Sequence, residues 1–166
     1  MQIELENFSL DLSNMDDIGS VKEVEVDLIF TDLEFRSQKI GIPEPLHLDL
    51  KVYNTDQSFL IKGNLSGDLI LRCSRCLEKF NYPIHIDIEK EIEDNNIENL
   101  DNVKIAKILI NNIFLNIPIK PLCNEDCKGL CPECGQNLNE EECDCDTEMV
   151  DPRLAKLEKF FDDTKE

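Results

Sequence analysis

The chain has 166 residues, of which 36 are acidic and 17 basic, giving a formal net charge of −19. Leu, Ile, Val and Phe account for 53 of the 166. That is enough apolar side chain for a folded core, so a disordered chain is excluded. The acidity also excludes nucleic-acid binding by bulk charge, because neutralising phosphates takes clustered Lys and Arg; basic proteins suit such a surface better. The length fits one domain, or one domain with a small appendage.

Residues 1–13 carry neither a basic side chain nor an apolar run, unlike a secretory signal peptide. The most apolar stretch, 103–119, is broken by Lys104, Lys107 and several Asn, which excludes a bilayer span. The expectation is a soluble cytoplasmic protein without a membrane partner.

Residues 1–45 are legible only in outline, as poorly defined N-terminal strands. Val24, Val26, Leu28 and Phe30 alternate with mainly charged neighbours and predict a half-buried strand. Gly41, Pro43 and Pro45 then break the chain. Leu46, Leu48, Leu50 and Val52 alternate with His47, Asp49, Lys51 and Tyr53, and the polar residues 54–57 form a turn. Phe59, Ile61, Leu65, Leu69 and Leu71 continue the period of two, with Gly63 and Gly67 as candidate bulges. Phe80, Tyr82, Ile84, Ile86, Ile88 and Ile92 make a third run. Three strands with short connections predict an antiparallel meander with one wet face.

A polar linker, 94–102, precedes Val103, Ala106, Leu109 or Ile110, Ile113 and Ile117, which recur at helical spacing until Pro118. This stripe predicts a helix covering the sheet. Asp151 followed by Pro152 marks the start of a C-terminal helix with Leu154, Leu157 and Phe160 or Phe161 on its apolar side. The fold class is therefore α+β: an antiparallel sheet meander with a covering helix and a Cys-rich C-terminal module. Residues 1–45, 46–119 and 120–166 are the expected divisions.

Eight cysteines in a reducing compartment read as metal ligands before disulfides. Cys73 and Cys76 sit two apart at the tip of the predicted hairpin between the second and third runs. Cys123, Cys127, Cys131, Cys134, Cys143 and Cys145 fall close together later in the chain. Zinc takes four thiolates in a tetrahedron, and cysteines spaced C-x-x-C in a tight turn meet that geometry, so eight thiols make two structural zinc sites. One pairing joins Cys131, Cys134, Cys143 and Cys145, and separately Cys73, Cys76, Cys123 and Cys127. The swap that unites Cys73 and Cys76 with Cys131 and Cys134 remains open. Sites closed by four cysteines leave no position for water and argue against a catalytic zinc. A thiol redox role for Cys73 and Cys76 is the rival, but such motifs begin a helix after a strand, and here both flanks read as strands.

His47 and His85 lie on the polar phase of their strands, and there is no phosphate loop, nucleophile elbow or acid pair to suggest an enzyme or a small-molecule substrate. The acidic runs 87–101 and 140–148 read as solvated surface. Arg72, Arg75 and Lys79 surround the first cysteine pair, while Lys120 and Lys128 bracket the start of the cluster. These five are candidate contacts to RNA or a partner. They also suit a second role, offsetting the negative charge of thiolates on a divalent ion.

Four segments, 71–80 (LRCSRCLEKF), 115–123 (LNIPIKPLC), 127–138 (CKGLCPECGQNL) and 151–157 (DPRLAKL), resemble in order the YceD family of large ribosomal RNA subunit accumulation proteins. The resemblance covers roughly residues 45–160. It implies a non-enzymatic role in the synthesis, processing or stability of 23S rRNA. The implied partners are a large-subunit precursor particle, 23S rRNA or a basic ribosomal protein. Some members keep the first cysteine pair and lack most of the later cluster, which implies a folding role for metal at Cys131–Cys145. A zinc-stabilised adaptor between proteins fits the same residues.

Overall fold

The structure is a computed structural model that describes residues 2–5, 8–30, 33–35, 38–93 and 100–145. The helix expected from Asp151 lies outside these residues, as do positions 94–99 of the linker. The described residues fall into two compact units, one running to Cys73 and resuming over Glu78–Cys123, the other made of Ser74–Leu77 and the residues from Asn124 on.

The first unit is built on a five-stranded sheet of β1 (Gln2–Glu4), β3 (Val21–Ile29), β6 (Leu46–Asn54), β7 (Ser58–Arg72) and β8 (Lys79–Glu93), in that spatial order. The expected meander is β6–β7–β8, antiparallel throughout. On its far side β3 pairs antiparallel with β6. Alternation puts Leu46, Leu48, Leu50 and Val52 of β6 on the same side as Ile84, Ile86 and Ile88 of β8, all buried. The other face carries charge: Glu23 bonds Lys51 and Glu89 pairs with Lys62, each at under 3 Å, and His47 reaches Asp27 and Glu25.

The N-terminal segment holds more structure than its sequence signalled. β1 runs parallel to β3, and the intervening chain buries Leu5, Phe8, Leu10, Leu12 and Met15 in the same core. β2 (Ser9–Leu10) pairs with β9 (Val103–Lys104), and β4 (Leu33–Phe35) with β5 (Gln38–Ile40). Two expectations are corrected. Val103 belongs to β9, and helix α1 spans Ala106–Asn116, because the β-branched Val103 finds a strand partner in Leu10. The helix stops where Ile117 turns extended before Pro118, which disfavours helical geometry at the residue preceding it. It buries Leu109 and Ile113 and packs on β8.

The second correction concerns the glycines of β7. Neither makes a bulge; Gly63 sits in unbroken register with both β6 and β8, and Gly67 in unbroken register with β8. At Gly63 the reason is close approach, since a Cβ there would lie 1.9 Å from the Asp49 carbonyl oxygen. No helix among the described residues is long and apolar enough to cross a membrane.

Candidate metal centre

The tip between β7 and β8 is a tight turn. Cys73 N–H donates to the Glu78 carbonyl at 2.8 Å, and Leu77, immediately after Cys76, has φ of 62°. The segment Cys131-Pro-Glu-Cys134-Gly135 repeats this geometry. Cys131 N–H donates to the Gln136 carbonyl, again at 2.8 Å, and Gly135 has φ of 76°. In both turns the residue after the second cysteine takes a left-handed conformation, easy for glycine and uncommon for leucine. The conformation turns the chain so that the two sulfurs of each pair face one point.

The sulfurs assemble into two groups, Cys73, Cys76, Cys123 and Cys127, and Cys131, Cys134, Cys143 and Cys145, each with all four Sγ atoms within 4.8 Å of one another. A zinc tetrahedron with Zn–S of about 2.3 Å has edges of about 3.8 Å, so either group can close on a metal ion with small shifts. This is the first of the two pairings the spacing left open. In the first group Cys73, Cys76 and Cys127 are buried and Cys123 is exposed; in the second only Cys131 is buried.

The electrostatics of the second group suit a cation. Backbone N–H groups of Cys134 and Glu133 donate to the Cys131 sulfur and lower its pKa to about 6. Cys145 is pushed up to about 12 by its contact with Cys134, by burial and by Cys131. Cys143 is drawn down by the Cys145 N–H, but Cys131, burial and Cys134 outweigh this and leave it raised. One thiolate therefore forms readily and opposes the next, a conflict that a divalent ion at the centre removes.

The loops of the second unit are braced around these sulfurs. Arg75, between the first two cysteines, donates to the carbonyls of Glu125 (3.0 Å) and Cys127 (2.8 Å). The Arg75 carbonyl accepts from Leu130 N–H, and Leu130 bridges to Asn137. Asn139, which no spacing rule singled out, donates through Nδ2 to the Cys127 sulfur at 3.4 Å. Its Oδ1 accepts from Lys128 N–H at 2.8 Å. Such outer-shell partners orient metal ligands. The only sequence signal for Asn139 is its place in the Asn137-Leu-Asn139 turn after the C-x-x-C.

Among the five candidate cationic contacts, Arg72 and Lys79 stand opposite each other in the β7–β8 register, both exposed. Lys120 and Lys128 are exposed as well. Arg75 is exposed too and donates to the backbone carbonyls just described, which braces a loop.

The profile of the family described as large ribosomal RNA subunit accumulation protein YceD matches residues 61–161. An uncharacterised protein of Mycobacterium tuberculosis is 33% identical over 125 residues, covering 68% of this chain and 60% of its own length. Bacillus subtilis YlbN, also uncharacterised, is 33% identical over 111 residues, 58% of this chain and 63% of its own. The Arabidopsis thaliana chloroplast protein named large ribosomal RNA subunit accumulation protein YCED homolog 1 is 41% identical over 55 residues, 33% of this chain and 17% of its own. The match thus spans about 60% of the length of the mycobacterial relative. No solved structure matches the chain.

Proposed function

The chain belongs to the YceD family, and on that premise we propose that it is a non-enzymatic, cytoplasmic factor for accumulation of 23S rRNA in large ribosomal subunit biogenesis. The observation that carries this reading is the family match, which runs from Ile61 to Phe161 and takes in all eight cysteines. The metal is zinc, two ions per chain, each held by one four-cysteine group. Its contribution is structural: four thiolates complete the tetrahedron, so the ion binds no water and its binding energy goes into ordering the loops.

The protein acts on a large-subunit precursor particle, touching 23S rRNA or a basic ribosomal protein bound to it. Arg72 and Lys79, with Lys120 and Lys128, are the cations offered to RNA phosphate in an otherwise acidic molecule. Against a thiol redox role stands the local structure of the Cys73–Cys76 pair. It lies between two strands, β7 and β8, and neither strand end supplies, among the described residues, a helix N-terminus to activate a thiolate.

Sucrose-gradient sedimentation of cell lysate at low and moderate salt tests the proposal. Co-migration with particles lighter than the mature large subunit is the expected result, weakened by reversing Arg72 and Lys79 to Glu. Sedimentation at the top of the gradient at both salt concentrations overturns particle binding.

A further inference from the structure

The 36 acidic residues are spread through the chain except at one place: from Val103 to Cys123 there is none, while Lys104, Lys107 and Lys120 fall within that stretch. The stretch is α1 and its flanks. Lys107, Asn111 and Leu115 follow one another at four-residue spacing, so they share one stripe of the helix, and all three are exposed. Leu115 is 82% exposed, and Ile119, just past the helix, is 76% exposed. Beside them runs a groove of about 570 Å³ lined by Phe35, Asn111, Phe114, Leu115, Ile117 and Ile119, its floor formed by the Phe35 and Phe114 rings with centroids 5.1 Å apart. The nearby acid Glu34 stands opposite Lys39 in the β4–β5 register.

Large aliphatic side chains at such exposure beside an aromatic-floored groove mark a protein contact rather than ordinary surface. The charge pattern defines the partner's chemistry. Lys107, one turn before Asn111 on the same stripe, and Lys120, next to Ile119 in the chain, match a negatively charged rim, and the groove takes apolar side chains. RNA fits less well, since so few cations supply little phosphate neutralisation and aliphatic Leu115 and Ile119 offer bases no stacking face. We propose that the α1 face docks a short amphipathic segment of a partner protein, whose apolar side chains enter the groove while its Asp or Glu residues meet Lys107 and its neighbours. The strongly acidic remainder of the molecule repels such a segment elsewhere, which confines it to this face.

The test places a photocrosslinking amino acid at Asn111 of the full chain in cells and maps adducts by mass spectrometry. The expected result is adducts to one segment of another polypeptide, with apolar residues flanked by Asp or Glu. A synthetic peptide of that segment then binds the purified chain more weakly as salt rises. Leu115→Ser with Ile119→Ser, both at exposed positions the fold does not depend on, lowers adduct yield by about tenfold, the scale of losing interface anchors. Lys107→Glu lowers it by roughly threefold to fivefold, the scale of a rim charge. Adducts to RNA, to a basic segment or to this chain itself overturn the proposal. So does an adduct yield that both variants leave unchanged, or no adduct at all. The positions altered in this test, Lys107, Asn111, Leu115 and Ile119, are not used in the ribosomal reading, which shares only Lys120 with this face, so gradient behaviour and crosslinking fail or succeed independently.

Discussion

Asn139 separates metal binding from loop order. Its Nδ2 donates to the Cys127 sulfur at 3.4 Å and its Oδ1 accepts from Lys128 N–H at 2.8 Å. Asn139→Ala removes both bonds together with the 2.8 Å donation from Nδ2 to Asn137 Oδ1, whereas Asn139→Asp keeps an acceptor for Lys128 and replaces the donor with a carboxylate beside the sulfur. A hydrogen bond to a charged acceptor contributes about 1.5–3 kcal/mol. The contact is long and Asn139 is exposed, so the lower end applies, about a tenfold loss of zinc affinity at the Cys127 group in the alanine variant. In the aspartate variant a carboxylate near a thiolate in water adds about 1 kcal/mol of repulsion, roughly a further fivefold. The two measurements therefore rank the variants in opposite orders. Zinc affinity falls from Asn to Ala to Asp, while protection of the Lys128 amide in metal-free protein falls from Asn to Asp to Ala. Zinc titration against a chromophoric chelator reads the first and hydrogen exchange the second. An aspartate variant that binds zinc as tightly as the parent refutes the reasoning, as does an equal loss at both cysteine groups.

Removing metal with a chelator is expected to lower, without abolishing, amide protection over residues 124–145 while β6, β7 and β8 stay fully protected; unchanged exchange in the cysteine loops counts against structural zinc. In metal-free protein the Cys131 pKa of about 6 lies below its ordinary 9.0. Its thiolate thus favours the folded unit fully above pH 9, and that contribution disappears as pH falls through about 6. Cys145, raised to about 12, has the opposite sign: its contribution is complete below pH 9 and is lost as pH rises through about 12. Stability of the metal-free second unit should therefore rise between pH 6 and 9. Cys131→Ser should flatten that rise in a denaturation series. Gly63→Ala places a Cβ 1.9 Å from the Asp49 carbonyl, a backbone collision that no rotamer relieves. We expect at least the roughly 1–3 kcal/mol of core overpacking, read as a lower denaturation midpoint. Leu109→Ala empties a fully buried site between helix and sheet and should destabilise by about 2–5 kcal/mol without altering zinc stoichiometry.

The period of two in β6, β7 and β8 was readable because each strand has one buried and one wet face, and that contrast is written directly in residue order. The N-terminal strands were harder. Phe8, Leu10 and Leu12 do alternate, but β1 and β2 are three and two residues long and depend on β3 and β9 for their partners. Val103 shows the same limit from the other side. Its place in a helical stripe is a local pattern, and pairing with Leu10 overrides it. Gly63 looked like a bulge because a glycine inside a strand has two common causes, and only the neighbouring strand distinguishes close approach from an extra residue.

The cysteine groups divide along the same line. That eight thiols make two four-cysteine sites follows from residue chemistry and spacing, since the C-x-x-C turn is local and recurs with the same backbone bond at Cys73 and Cys131. Which pair meets which depends on where the chain returns after α1, and a return over tens of residues has no local signature. The acid-free stretch from Val103 to Cys123 is likewise plain in the sequence, yet its apolar residues are ambiguous there. Leu109 and Ile113 are buried and Leu115 and Ile119 are exposed because the helix can turn only one side to the sheet. Composition determined which side chains the protein has available for metal and for partners. Packing against a surface assembled from distant strands decided which of them face outward.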